Sequence, residues 1–177
     1  EIQYNIEKIM ENKRGVILVG IPETGEILGA VSKPDFNPDL FTGRIMEKEW
    51  NNLINDKNKP LVNRFTQGLY PPGSIVKMIT GAVLMDHQDF DPHMEQVCDG
   101  AYQYGDRVFG CWNTQGHGKV DLTSAIAQSC DIYFYRTIQY YDIDKLAKYF
   151  YNFGFGNIAG IDIEGEAKGT IPTKAYM

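Results

Sequence analysis

The sequence contains no apolar run approaching the ~20 residues that a membrane-crossing helix needs. It also lacks the succession of basic, apolar and small residues that marks a secretory signal peptide. Positive charge is scarce and scattered: 17 Lys and Arg stand against 23 Asp and Glu, for a net charge of −6. Without a basic cluster, a nucleic-acid surface is excluded as a reading. Cysteine is limited to three residues, an odd number that leaves one thiol outside any complete disulfide framework. There is no internal repeat and no low-complexity tract. The chain opens at Glu1 without an initiator Met, within a helical pattern, and ends just after a plausible helix start at Thr173. It therefore reads as a piece of a longer protein, and a missing anchor says little about location.

What is present is the composition of an ordinary globular domain, 43% hydrophobic and 23% charged, with 177 residues to bury one core. Ile2, Ile6, Ile9 and Met10 recur at helical spacing, and Gly15 ends that pattern. Residues 16–21 and 26–32 are apolar, β-branched runs joined across Pro22-Glu23-Thr24-Gly25, the pattern of a β-hairpin. Residues 33–43 are turn-rich, and 44–60 read as a polar helical excursion ending at Pro60. Tyr70-Pro71-Pro72-Gly73 gives way to an apolar segment, Ser74 to Met85, where the prolines predict a helix start. Its apolar residues cover most faces, so this helix is expected to be buried at the centre. Further helices are predicted from an N-cap at Asp121 through Ala127, over 132–141, and over 143–153 with Gly154 as terminator.

Ser74 and Lys77 form a Ser-x-x-Lys pair in the first turn of the apolar helix. The pattern alone is weak, since a chain of this length holds roughly one by chance; a capping Ser with a solvated Lys would explain a random instance. Here, however, residues three apart share a helix face. The Ser lies at the helix's positive end, among converging N–H groups. A Lys in that field, on an apolar helix, is shifted towards the neutral amine that takes a proton from a hydroxyl.

Asn63-Arg64-Phe65 through Tyr70-Pro71-Pro72-Gly73-Ser74-Ile75-Val76-Lys77 resembles the first active-site motif of class B penicillin-binding proteins. Thr24 to Leu28 with Pro34 to Pro38, and Phe153 to Gly156 with Gly160-Ile161-Asp162 and Gly165-Glu166, are similar to other segments of that family. The likeness covers nearly the whole chain and is greatest to the elongation, rod-shape subgroup. It implies an α+β, penicillin-binding protein/serine β-lactamase-like transpeptidase fold: an antiparallel sheet flanked by helices, Ser74 opening the central helix. Residues 1–177 would be the N-terminal and central part of that domain, without its membrane anchor, pedestal domain or third motif.

By the same resemblance Ser74 is the acylated nucleophile and Lys77 its base. Ser129-Cys130-Asp131 stands at the second motif, Ser-x-Asn in most members, with Ser129 relaying protons to the leaving amine. A plainer reading makes this an interhelical turn with Asp131 capping the next helix. A carboxylate near Lys77 favours its charged form, opposing the effect of burial. The third motif, Lys-Thr-Gly or Lys-Ser-Gly, is absent: Gly169-Thr170 and Thr173-Lys174 do not supply its order. Because losing one oxyanion donor costs about a hundred- to a thousandfold in rate, residues 1–177 alone are expected to react weakly or not at all.

Cys98, Cys111, His117 and Cys130 fall within 33 residues and make a Cys3His set, a standard structural zinc combination. No C-x2-C pair occurs, so the fold would have to gather them; Asp99 is an alternative to Cys98. Buried free thiols with a surface His are the plainer reading. Two considerations favour a structural zinc: thiols in an oxidising compartment need protection from disulfide formation, and some rod-type members resembling this chain carry zinc between the first and second motifs. His93-Met94-Glu95 lacks the P-C-x-x-C of zinc deaminases, and His87 and His93 are expected on the polar surface.

The resemblance thus implies a peptidoglycan D,D-transpeptidase of the bacterial envelope, on the periplasmic side of the inner membrane and needing no catalytic cofactor. Its partners would be stem peptides ending in D-Ala-D-Ala, β-lactam antibiotics, and the rod-type glycosyltransferase and elongation machinery. The competing readings are a serine β-lactamase or D,D-carboxypeptidase, and a β-lactam sensor or non-catalytic scaffold.

Overall fold

The structure, a computed structural model, describes residues 1–139 and 141–176. It divides into two compact units, Glu1–Tyr70 with Gly160–Ala167, and Pro71–Ala159 with the chain from Lys168 onward.

In the first unit, α1 (Ile2–Ile9) lays Ile6 and, just beyond its end, Met10 onto Val31, with Ile17 and Val19 alongside. The hairpin is present as β1 (Gly15–Gly20) and β2 (Ile27–Lys33), antiparallel, with Gly15 opposite Lys33. Gln3 ties the helix to β2: its amide donates to Ala30 O at 3.1 Å and accepts from Ala30 N at 2.9 Å, substituting for a neighbouring strand. The polar excursion forms α2 (Glu47–Asn55). In the short α3 (Arg64–Gln67), Arg64 is 5% exposed and its guanidinium donates to the carbonyls of Pro34, Asn58, Lys59 and Val62. A single buried cation thus satisfies the turns that lead into the helix.

The second unit is built around α4 (Lys77–Met85), packed against α5 (Leu122–Ala127), α6 (Asp131–Ile138) and α7 (Ile143–Asn152). The all-round burial expected of the central helix is not met. Ile79, Val83 and Leu84 are buried, whereas Ile75 and Met78 are each 65% exposed, because the helices packed against α4 cover only part of it. Asp121 does cap α5, in a reciprocal box with Ser124: each side chain meets the other's backbone N–H, at 2.8 and 2.9 Å. The helix expected over 132–141 begins one residue earlier and ends at Ile138; Tyr140 lies outside the described residues.

Between α4 and α5 lie four strands that the sequence reading did not foresee. β3 (Gln96–Cys98) pairs with β6 (Gly118–Val120), and β4 (Ala101–Tyr104) with β5 (Arg107–Gly110), both antiparallel. Two glycines press this excursion together. A Cβ on Gly100 (φ +91°) would sit 2.2 Å from Thr114 O, and one on Gly116 (φ +80°) 2.2 Å from Cys98 O. Only a residue without a side chain permits that approach, and it brings residues 98, 111 and 117 to one corner. No helix among the described residues is long and apolar enough to cross a membrane.

Candidate active site

The chain reaches α4 through a single 3-10 turn, Gly73–Val76, entered at Pro72 and at Gly73 with φ +60°. In 3-10 geometry residues i and i+3 eclipse, which sets Ser74 and Lys77 on one face. Ser74 is exposed and Lys77 buried. All three donors of the Lys77 ammonium are used: Nζ donates to Ser129 O at 2.8 Å, Ser129 Oγ at 3.1 Å and Asp131 Oδ1 at 2.6 Å. The Phe134 ring lies 5.9 Å from the same nitrogen. Three acceptors, one of them the Asp131 carboxylate, therefore surround this nitrogen, and the closest of them forms a largely buried ion pair with it. Among the described residues, no bond from Nζ reaches Ser74.

Ser129 owes its position to the way α5 ends. Its N–H donates to Ile126 O at 3.1 Å, and the N–H of Cys130 donates to Ala125 O at 2.8 Å. These are the paired bonds of a Schellman motif, whose left-handed residue is usually Gly. Ser129 holds that place with φ +52°, at a cost of about 1–2 kcal/mol for its Cβ. What a glycine would lack is the hydroxyl presented to Lys77. Asp131 does not cap α6 as the plainer reading had it: Cys130 is the N-cap residue, without a side-chain bond, and Asp131 is the first helical residue. Both its carboxylate oxygens are engaged elsewhere, Oδ1 by Lys77 and Oδ2 by the backbone N–H of Trp112 at 3.2 Å.

Cys130 links this loop to a second cluster. Cys98 at the end of β3, Cys111 after β5, His117 before β6 and Cys130 bring their ligand atoms within 4.8 Å of one another. His117 Nδ1 lies 3.5 Å from Cys98 Sγ and 3.6 Å from Cys111 Sγ. The three cysteines are buried free thiols. Burial pushes the Cys130 thiol up to about 12, helped by its thiol neighbours. For Cys98 burial acts in the same sense, but hydrogen bonds from the backbone of His117 and Gly100 and from the His117 ring outweigh it and bring the thiol down to about 7. Asp99, the alternative to Cys98, stays outside: it is exposed and pairs with Arg136 at 3.6 Å.

A family profile, the penicillin binding protein transpeptidase domain, matches residues 15–177. The chain belongs to this transpeptidase family. The peptidoglycan D,D-transpeptidase MrdA of Escherichia coli K12 is 35% identical over 183 residues, which cover 99% of this chain and 28% of the relative. Among solved structures, PBP2 of Helicobacter pylori superposes with a TM-score of 0.93 at 37% identity, over 99% of this chain and 33% of that one; it has also been solved in complex with MreC. PBP2 of Pseudomonas aeruginosa, solved in complex with WCK 5153, gives 0.88 at 36% identity, over 99% and 39%. The chain therefore spans between 28% and 39% of the length of these relatives. Its α+β architecture is that of penicillin-binding protein transpeptidase domains. Sequence reasoning passed over one residue of this site, Trp112. Its adjacency to Cys111 was the available signal, but its partners on the 128–131 loop are visible only in three dimensions.

Proposed function

We propose that this transpeptidase domain is part of a peptidoglycan D,D-transpeptidase that cross-links stem peptides through an acyl-enzyme on Ser74. The observation that carries the reading is the Lys77 ammonium, buried one turn from Ser74 and hydrogen-bonded to both Ser129 and Asp131. In the reacting form Lys77 is neutral and accepts the Ser74 hydroxyl proton as Oγ bonds to the D-Ala-D-Ala carbonyl carbon. Lys77, now an ammonium, donates to Ser129 Oγ, which frees the Ser129 hydroxyl proton for the amine of the departing D-Ala. An amine of a neighbouring strand then takes the acyl group and Ser74 recovers its proton. The hydrogen bonds described above fit the protonated stage of this cycle. Asp131 stabilises that stage, and the positive end of the Ser74 turn faces the oxyanion. β-Lactams would acylate the same oxygen.

The reading extends to the rest of the protein. A Lys-Ser/Thr-Gly motif outside residues 1–177 would complete the oxyanion hole. The enzyme would work on the periplasmic face of the inner membrane, anchored there, with the elongation machinery as partner; the complex of H. pylori PBP2 with MreC supports that choice. Cys98, Cys111, His117 and Cys130 would hold a structural zinc. Tetrahedral bonds of about 2.3 Å to sulfur and 2.05 Å to nitrogen place S and N about 3.6 Å apart, close to the 3.5 and 3.6 Å found here. Bound metal would supply no chemistry to the reaction; Cys130 would fix the loop that carries Ser129.

The test is labelling of the full-length protein with a fluorescent penicillin, beside its Ser74→Ala variant. The expected result is a covalent label that depends on Ser74. No label on either protein, or rapid turnover of the β-lactam as by a hydrolase, would refute the proposal.

A further inference from the structure

A residue other than glycine persists at φ +52° only where its surroundings over-determine it. The Schellman bonds hold Ser129 from within α5. Two further anchors come from one residue on the strand excursion. The indole N–H of Trp112 donates to Gln128 O at 3.0 Å, and its backbone N–H donates to Asp131 Oδ2 at 3.2 Å. One tie therefore lies on each side of Ser129. Gln128 O is among the last carbonyls of α5, which a helix leaves without an internal partner. Trp112 is 66% exposed, so core packing does not account for its placement. Its ring is nonetheless held, edge-on to His117 at 5.3 Å between centroids, and the preceding residue is fixed by the bond from Cys111 N to Gly100 O at 2.8 Å.

We propose that Trp112 is a positioning residue for the Ser129–Asp131 loop, holding Ser129 in the conformation that turns its hydroxyl to Lys77. The inference rests on the reading of Ser129 as a proton relay. It assigns Trp112 no contact with substrate: the indole N–H fixes the carbonyl before Ser129, the backbone N–H fixes the carboxylate after it, and Lys77 meets the hydroxyl between them.

The experiment measures acylation of the full-length protein by a fluorescent penicillin, resolved into the first-order acylation constant and the dissociation constant of the preceding complex. Trp112→Phe keeps a ring on His117 and removes the indole N–H. The acylation constant should fall about three- to tenfold, the range a single neutral hydrogen bond carries, with the dissociation constant within about twofold. Introduced into Ser129→Ala, where no hydroxyl remains to be aimed, the same change should have no further effect beyond about twofold. If Trp112→Phe does not fold, benzothienylalanine at position 112, which replaces the N–H with sulfur in a ring of the same shape, serves in its place. An unchanged acylation constant would overturn the proposal. So would an undiminished loss in the Ser129→Ala background, which would set the indole against the substrate. If Ser129→Ala alone leaves acylation unchanged, it is the relay reading that fails.

Discussion

Replacing Ser129 by Gly and, separately, by Ala isolates the conformational cost built into the second motif. At an ordinary position Gly is less stable than Ala by roughly 0.5–1 kcal/mol. At φ +52° the order reverses, because a Cβ in the left-handed region costs about 1–2 kcal/mol. Both variants lose the 3.1 Å bond from Lys77 Nζ to Ser129 Oγ, a bond from a charged donor worth roughly 1.5–3 kcal/mol, so that loss cancels between them. Ser129→Gly should therefore be the more stable by about 1 kcal/mol, or ~2–4 °C in melting temperature for a domain of this size. Calorimetry or urea titration of the two proteins reads the difference directly. Both should acylate slowly, since both lack the hydroxyl, so stability and reactivity separate. Equal stability, or a more stable Ser129→Ala, would refute the account of Ser129 as a strained Schellman residue.

Three other perturbations probe the rest of the structure. Zinc measured by mass spectrometry in purified protein should approach one equivalent in the wild type and fall sharply in Cys111→Ser; equally negligible zinc in both would end the metal assignment. Arg64→Met should cost about 3 kcal/mol: all four bonds to carbonyls disappear, and the two shorter ones, to Asn58 and Val62, carry about 1.5 kcal/mol each; Arg64→Lys should recover only part of it, and a melting temperature within 2 °C of wild type would contradict that role. The Asp121 carboxyl is held below its ordinary range by the Ser124 hydroxyl and backbone N–H. Its contribution is therefore complete above the ordinary carboxylate range and is lost as pH falls through the lowered value. The stability difference between wild type and Asp121→Asn should accordingly shrink as pH falls below about 4; a difference constant down to pH 2 would refute the assignment.

Features carried by local rules were readable from the sequence. The hairpin expected from the apolar, β-branched runs at 16–21 and 26–32 around a Gly-containing turn is found at 15–33, and the start of α5 follows from Asp121 as a cap. Cys98, Cys111, His117 and Cys130 were foreseen as a set, and the fold gathers them. Strands β3 to β6 escaped because each is only three or four residues long, too short to display a period. Their register depends on Gly100 and Gly116, whose close approaches join residues distant in sequence. The contact between Lys77 and Asp131 at 2.6 Å joins residues 54 apart in sequence, and no local pattern displays it. Ser129 broke a local rule, occupying a place where Gly is expected, and such departures concentrate at functional sites.

The measurement closest to the central claim is the intact mass of the full-length protein after exposure to benzylpenicillin, followed by peptide mapping. The account predicts a single adduct equal to the mass of the intact β-lactam, located on Ser74 and missing from Ser74→Ala. An adduct on another residue, or none under conditions where the protein is folded, would contradict it.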